Sequence, residues 1–334
     1  MKKVLTVVAA SIVGVAALEV GFRIFKPFRS AGTLRAYEYD PDMGYRLKPG
    51  LNLTRITDHL EEVHSNRLGT VNYREDFGGY PALVFAVGDS YTMGIGLPPD
   101  AAYPFQLDLI LNRDEKGLYA KRYGVVNLGM AGMGAEQHLL QLRRYAVRLG
   151  MPAVVLYLGC DNDFQDDLLF RNGSRHTFGV EGNPRYGPFL WLRLWADRTD
   201  LGQRLLYRWA VARDRRLLRQ NLGVENWRLS PRPIAELQAP MLEKIAAATR
   251  EQGARLVVSW ADTSRSYPFL KSWAAAKNIP FADWKPAMDA VQQAMPALSP
   301  WNPHSGLHYR TWVNRLIAEA YAREIERTFP RCGC

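Results

Sequence analysis

The chain has 334 residues, 47% hydrophobic and 23% charged, which is enough for one large domain or two small ones with a proper core. Its 27 Gly and 20 Pro are ordinary amounts and no short sequence recurs at a fixed period, so collagen, solenoid and disordered classes are excluded. A formal charge of +10 suits an anionic membrane surface or polysaccharide as well as nucleic acid, and three cysteines (Cys160, Cys332, Cys334) are too few for a disulfide framework or a four-ligand zinc site.

Met1-Lys2-Lys3 opens with positive charge, and Val4 to Leu18 is an uninterrupted run of small and apolar residues. Fifteen residues suit the core of a cleaved signal peptide, with Val15 and Ala17 placed for cleavage; Val4 to Phe25 suits a tilted transmembrane helix. The length favours retention as an anchor. Glu19 and Arg23 stand four apart on one helical face, where they can pair and reach the interface. Basic residues flank both ends of the segment, so the positive-inside rule does not set its orientation.

From 29 to 80 the chain is polar and rich in turn signals, such as Asp40-Pro41-Asp42 and Lys48-Pro49-Gly50, and reads as a small β-rich lead-in. The pattern then changes. Ala82 to Val87 is a continuous apolar strand ending in Gly88-Asp89-Ser90, followed by helical spacing from Tyr103 to Leu111. The alternation recurs with a strand at Gly124 to Asn127, a helix at Glu136 to Leu149, a strand at Ala153 to Leu158 and a loop at Gly159 to Asp167. Later come a helix at Met241 to Glu251, a strand at Arg255 to Ala261, a helix at Pro268 to Lys277, a short strand at Ile279 to Ala282 and a closing helix at Trp312 to Phe329. Fully apolar strands alternating with helices predict a parallel sheet covered on both faces, with functional groups at the strands' carboxyl ends.

A long insert over about 168 to 238 interrupts this alternation. From Arg193 to Arg219 it holds eight Arg against three Asp, with Trp191, Trp195, Leu205, Leu206, Trp209 and Leu218 available as an apolar face. It reads either as a helical cap packed on the sheet or as a basic lid over a substrate groove or on anionic headgroups. No nucleic-acid-binding motif accompanies it, so no nucleic-acid partner is expected. The chain therefore divides into a signal anchor over 1–28, the lead-in over 29–80 and an α/β domain over 81–330 carrying the insert.

Ser90 stands at a strand terminus before a helix, where its hydroxyl faces a crevice and backbone N–H groups can meet an oxyanion. Gly-Asp-Ser alone is common turn chemistry. Its company is more specific: Asn127 to Gly132 (NLGMAG), Asn162 within LGCDNDF, and His308 opening HYRTWVNRLIAEA follow in order. With these four motifs the sequence, from about Leu83 to Ala322, resembles the SGNH (GDSL) hydrolases, of the membrane-anchored bacterial type. The resemblance implies a flavodoxin-like three-layer α/β/α fold with a parallel sheet, Ser90 as nucleophile and His308 as base. It further implies an oxyanion site made by the N–H groups of Ser90 and Gly132 and the amide of Asn162. Read from the residues alone, Gly132 equally supplies a positive φ and Asn162 equally caps a turn. His304 is a rival to His308, but only from His308 do Ile317 and Ala318 fall where the family's helix carries its Ile-Ala pair. The other histidines (His59, His64, His138, His176) lack metal-ligand spacing.

The sequence departs from the family at two points. Ser305 and Gly306 occupy the positions where the family carries the acid that orients the histidine, and no Asp or Glu lies between Asp289 and Glu319. Orientation then falls to a carbonyl or Ser305, or to a distant acid such as Asp262 or Asp283. Gly159 stands three rather than two residues before Asn162, which implies a reshaped loop. The expected activity is that of a serine esterase or acyltransferase on O-acyl groups, acetyl among them, of an exported or cell-surface carbohydrate. A non-catalytic carbohydrate-binding or assembly protein on the same fold is the alternative. The resemblance and the export signal place the body in the periplasm, on a single-pass inner-membrane anchor. Covalent acyl transfer requires no cofactor and no metal.

Overall fold

In the computed structural model the residues described are 2–25, 36–56, 60–113, 116–173, 180, 182–184, 191, 199–262, 265–303 and 308–328. Helix α1 (Lys2–Phe25) leaves its apolar side chains exposed, and from Lys2 to Phe22 it is long and apolar enough to cross a membrane. Two antiparallel hairpins follow, β1 (Tyr37–Asp40) with β2 (Gly44–Leu47) and β3 (Asn52–Ile56) with β4 (Leu60–His64).

The main sheet contains β5 (Ala82–Gly88), β6 (Tyr123–Asn127), β7 (Val154–Gly159) and β8 (Arg255–Trp260), parallel throughout and ordered β6-β5-β7-β8. Every residue of β7 and the last five of β5 are buried, which is why these segments read as unbroken apolar runs rather than alternating ones. Each such Val or Leu contributes roughly 1.5–3 kcal/mol of burial. Helices α3 (Tyr103–Leu111) and α10 (Thr311–Thr328) pack together over one face; α4 (Ala135–Leu149), α7 (Ile234–Glu251) and α8 (Ser266–Ala276) pack in series over the other. The three-layer α/β/α fold with a parallel sheet is as the motifs implied.

Several boundaries differ from the sequence reading. The expected strand at Ile279 to Ala282 is a single bridge from Phe281 to Val258, because only that residue comes into register beside β8. The expected loop at Gly159 to Asp167 is helical from Asp163 onward, forming α5 (Asp163–Arg171). Helix α7 begins seven residues before Met241 and contains Pro240 on its exposed side. Helix α9 (Lys285–Ala294), with Pro286 in its first turn, has no counterpart in the periodicity reading.

Within the insert, Asp200–Leu222 forms α6, capped by the Thr199 hydroxyl at Gly202 N–H and ended by Gly223 in the left-handed region. The proposed apolar face does not pack as a unit. Leu218 is 3% exposed, but Leu205 and Trp209 are 59% and 60% exposed and lie on the opposite side of the helix. Trp195 and the Leu206 side chain lie outside the described residues, as do His59, His176, His304, Ser305, Gly306, the Arg23 side chain, Cys332 and Cys334.

The first lead-in hairpin packs against the segments that carry the site. Tyr37, Tyr45, Met43 and Leu47 form a second apolar cluster with Met93, Met130 and Met133, which flank the Ser90 and Gly132 segments. Tyr45 donates to Ala131 O (2.8 Å), Gln137 donates to Met43 O (2.7 Å), and Arg144 holds Asp40 (2.5 Å) and Asp42 (2.7 Å).

Candidate active site

The chain order reverses direction between β5 and β7, which is where a doubly wound sheet opens a crevice at its carboxyl end. Ser90 follows β5 and Asn162 follows β7. Asp89 caps the short helix α2 (Ser90–Met93) by accepting from Tyr91 N–H (3.0 Å), and Gly94 closes it at φ +83°. This turn brings the Ser90 hydroxyl out of the sheet into the crevice.

His308 lies just before α10, and its Nε2 stands 2.9 Å from Ser90 Oγ. The chain around His308 is pinned on both sides. Its carbonyl accepts from Asn302 N–H (2.7 Å), the Asn302 amide donates to Gly96 O (2.7 Å), and the Tyr309 hydroxyl donates to Ala261 O (2.5 Å) at the end of β8. Tyr91 lies 5.1 Å from the imidazole, ring to ring, and 5.3 Å from Tyr309. The histidine is thereby set by packing as well as by its bond to the serine.

The Ser90 hydroxyl has one proton and two neighbours that can take it, His308 Nε2 and Asp89 Oδ2 at 3.0 Å. When the proton points to Nε2, the imidazole is the Nδ1–H tautomer, the form a general base requires. Asp89 Oδ2 also accepts from the Cys160 thiol (3.1 Å) and the Asn162 amide (3.3 Å), so one buried carboxylate ties the serine to the floor of the site. The sequence reading missed this role for Asp89. Its position beside Ser90 was the available signal, but only the pairing of β5 with β7 brings Cys160 and Asn162 to it.

Asn162 occupies the residue before α5 and makes no capping bond with its side chain. Its amide donates to Asp166 Oδ2 (3.1 Å) as well as to Asp89, and its Oδ1 accepts from Cys160 (3.0 Å). Gly132 lies on the loop between β6 and α4 at φ +72°, a conformation that favours glycine. Gly129, on the same loop, passes so close to α2 that a Cβ would fall 2.1 Å from Met93 N. Ser90, Asn162 and His308 line one cavity of about 760 Å³; Gly132 is not among its described lining residues.

Asp262, Asp214, Leu218 and Trp227 line the same cavity. Val211, Asp214, Arg215 and Leu218 follow one another at helical spacing along α6, a signal in the sequence that points to one face. Gln165 of α5 donates to Asp214 (2.8 Å) and fixes that face against the site. Of the two distant acids considered for the histidine, Asp283 is engaged by Tyr267 (2.8 Å) and Lys271 (2.6 Å). Asp262 is at the cavity, accepts from Asp161 N–H (2.7 Å), and is pushed up to about 6 by burial and then by the Asp161 charge.

Beneath Ser90, ligand-type atoms of Asp89, Cys160 and Asp163 lie within 4.8 Å of one another. Burial pushes the Cys160 thiol and the Asp163 carboxyl well up. The single Cys160 S–H has Asp89 Oδ2 and Asp163 Oδ1 as alternative acceptors, each at 3.1 Å.

A Gly-Asp-Ser turn, a glycine loop, an asparagine and a histidine before the last helix thus meet at the carboxyl edge of one parallel sheet. The chain resembles the SGNH hydrolases in both fold and motif order. No family model and no curated protein matches the sequence. Solved structures similar to this chain include a member of the lipolytic protein G-D-S-L family from Veillonella parvula, with 12% identity over 73% of this chain and 98% of that one and a TM-score of 0.41. A putative lipolytic protein of the G-D-S-L family from Desulfitobacterium hafniense has 12% identity, 72% and 98% coverage, and a TM-score of 0.40. A carbohydrate acetylesterase family member from Sinorhizobium meliloti has 11% identity, 74% and 98% coverage, and a TM-score of 0.38.

Proposed function

We propose that the protein is an SGNH-type serine hydrolase or acyltransferase acting on O-acyl groups of an exported or cell-surface carbohydrate. The observation that carries this reading is the 2.9 Å contact between Ser90 Oγ and His308 Nε2 inside a cavity large enough for an ester-bearing substrate.

In this reading Ser90 Oγ attacks the acyl carbonyl as its proton passes to His308 Nε2. The N–H groups of Ser90 and Gly132 and the amide of Asn162 stabilise the oxyanion, the amide exchanging its longer bond to Asp89 for the new one. Collapse breaks the ester C–O bond, the His308 proton leaves with the alcohol, and the acyl group remains on Ser90. Water, or a hydroxyl of an acceptor, then attacks the acyl carbon as its proton passes to His308, and the Ser90 Oγ–acyl bond breaks as that proton returns to Oγ.

A carbohydrate substrate is supported by a second cavity of about 550 Å³ that shares Trp227, Arg228 and Asp262 with the first and adds Trp301. Tryptophan faces give a sugar ring an apolar platform, and the two cavities together offer room for more than the reacting residue. The apolar α1 and the family resemblance together support a domain outside the inner membrane.

The test is hydrolysis of p-nitrophenyl acetate by the full chain in detergent, compared with Ser90→Ala and His308→Ala. Activity lost in both supports the esterase. Equal near-background rates in all three, with acetylated polysaccharide still bound, would favour the non-catalytic carbohydrate-binding protein.

A further inference from the structure

The face of α6 turned away from the cavity is built unlike a solvated surface. Leu205 and Trp209 stand four apart and exposed; Arg208 and Arg216 are exposed beside them, and the Arg213 guanidinium lies 5.1 Å over the Trp209 ring. An aromatic and an aliphatic side chain among arginines is the composition of a helix seated at a membrane interface.

Where α6 begins agrees with this. The Glu19 carboxylate of α1 accepts from Asp200 N–H and Leu201 N–H, both at 3.0 Å, and so caps α6 from the apolar helix. One turn further along both helices, Arg204 lies 4.6 Å over the Phe22 ring. The helices therefore run side by side in the same sense, and α6 leaves the level at which the apolar span ends, at Phe22. Trp209 follows Arg204 by about 8 Å of helix, comparable with the depth of a headgroup layer.

We propose that the first turns of this face of α6, Leu205, Arg208 and Trp209, dock into the anionic headgroup layer of the bilayer that holds α1. The proposal rests on α1 being a retained membrane span and not on the acyl chemistry. Leu205 and Trp209 enter the interface, and Arg208 meets lipid phosphate. The opposite face of the same helix, Val211 to Leu218, is the cavity wall, and it follows Arg204 by about 10 to 21 Å of helix. The cavity is thus held close to the membrane surface, so the acyl donor or acceptor it serves is one that reaches that surface.

The experiment uses the full chain in nanodiscs of phosphatidylcholine and phosphatidylglycerol, prepared with ordinary lipid or with lipid brominated near the carbonyl. Bromine quenches nearby indoles, so wild type is expected to lose more fluorescence on bromination than Trp209→Phe. That excess is expected to shrink in Arg208→Gln and when phosphatidylglycerol is omitted. Trp209 faces away from the cavity, so an unchanged thermal unfolding midpoint serves as the folding control for Trp209→Phe. Equal quenching in wild type and Trp209→Phe, with the chain still retained on vesicles after an alkaline carbonate wash, would overturn the α6 placement alone. Release of the chain by that wash would overturn the anchor and the proposal together.

Discussion

The cavity has two walls of different character. One is the floor, made by the ends of β5 and β7, where Asp89, Cys160 and Asp163 are completely buried and joined by hydrogen bonds, and where Gly129 leaves no room for a side chain. The other is α6 with the short turn Trp227–Leu229, where the charged residues remain in contact with solvent and Leu229 is exposed. The floor fixes reacting atoms, whose positions tolerate little error. The outer wall selects what approaches them, a task that charge and partial exposure can serve without close packing.

If that division holds, substitutions on the floor are severe and those on the outer wall are graded. The largest effect is expected from Ser90→Ala and His308→Ala, each lowering ester hydrolysis by about 10³-fold or more, read from initial rates. Next is Gly129→Ala, which must displace α2 because the new Cβ meets backbone; a stability loss of about 3 kcal/mol or more is expected, measured as a lower denaturation midpoint. A tolerated Gly129→Ala would mean that the floor is less tightly fitted than the close approach implies.

Asp167 connects the floor to pH. It accepts from Glu136 N–H (2.9 Å) at the start of α4, and burial pushes its carboxyl up to about 7. Between the unfolded value near 4 and about 7 the folded chain retains a proton that the unfolded chain has released, so this group's contribution to stability falls as pH rises through that window. Buried His138 works in the opposite direction. It is pushed down to about 4 by burial, so its contribution is lost as pH falls from about 6.5 toward 4. Asp167→Asn keeps an acceptor for Glu136 and removes the first effect; it is expected to raise stability at pH 8 by on the order of 1–2 kcal/mol while changing little at pH 4. Thermal melts at the two pH values measure the difference.

On the rim between the walls, Asp262→Asn is expected to remove an ionisation near pH 6 from the kcat/KM profile, with a rate change of about tenfold or less. The smallest effect belongs to the outer wall. Leu218→Ala is expected to raise KM by about two- to tenfold with kcat nearly unchanged, because it removes contact area rather than a group that follows charge in the transition state. A fall in kcat as large as that of Ser90→Ala would end the distinction between the walls.

How far each wall was legible follows from the same contrast. The floor is written in local signals: the apolar runs of β5 and β7 end at Ser90 and close to Asn162, and His308 sits at a fixed offset from Ile317 and Ala318. What those signals lacked was the cross-strand contact that makes Asp89 a common partner of Ser90, Cys160 and Asn162. The outer wall was harder because α6 divides its residues between two surroundings. Leu218 and Trp209 look alike as apolar residues, yet one enters the cavity wall and the other stands exposed nearly half a turn away. Nor does spacing within the anchor show that Glu19 would accept from the first N–H groups of α6 rather than serve Arg23 alone. The lead-in gave its turns but not its purpose, since the bond from Tyr45 to Ala131 joins residues far apart in the chain.

The central claim is that Ser90 is an activated nucleophile whose base is His308. A fluorophosphonate probe applied to the full chain in detergent, followed by peptide mass spectrometry, tests it most directly. The account predicts a single adduct on Ser90 that is lost in His308→Ala; an adduct that persists in Ser90→Ala, or labelling of Ser90 at an unchanged rate without His308, would contradict it.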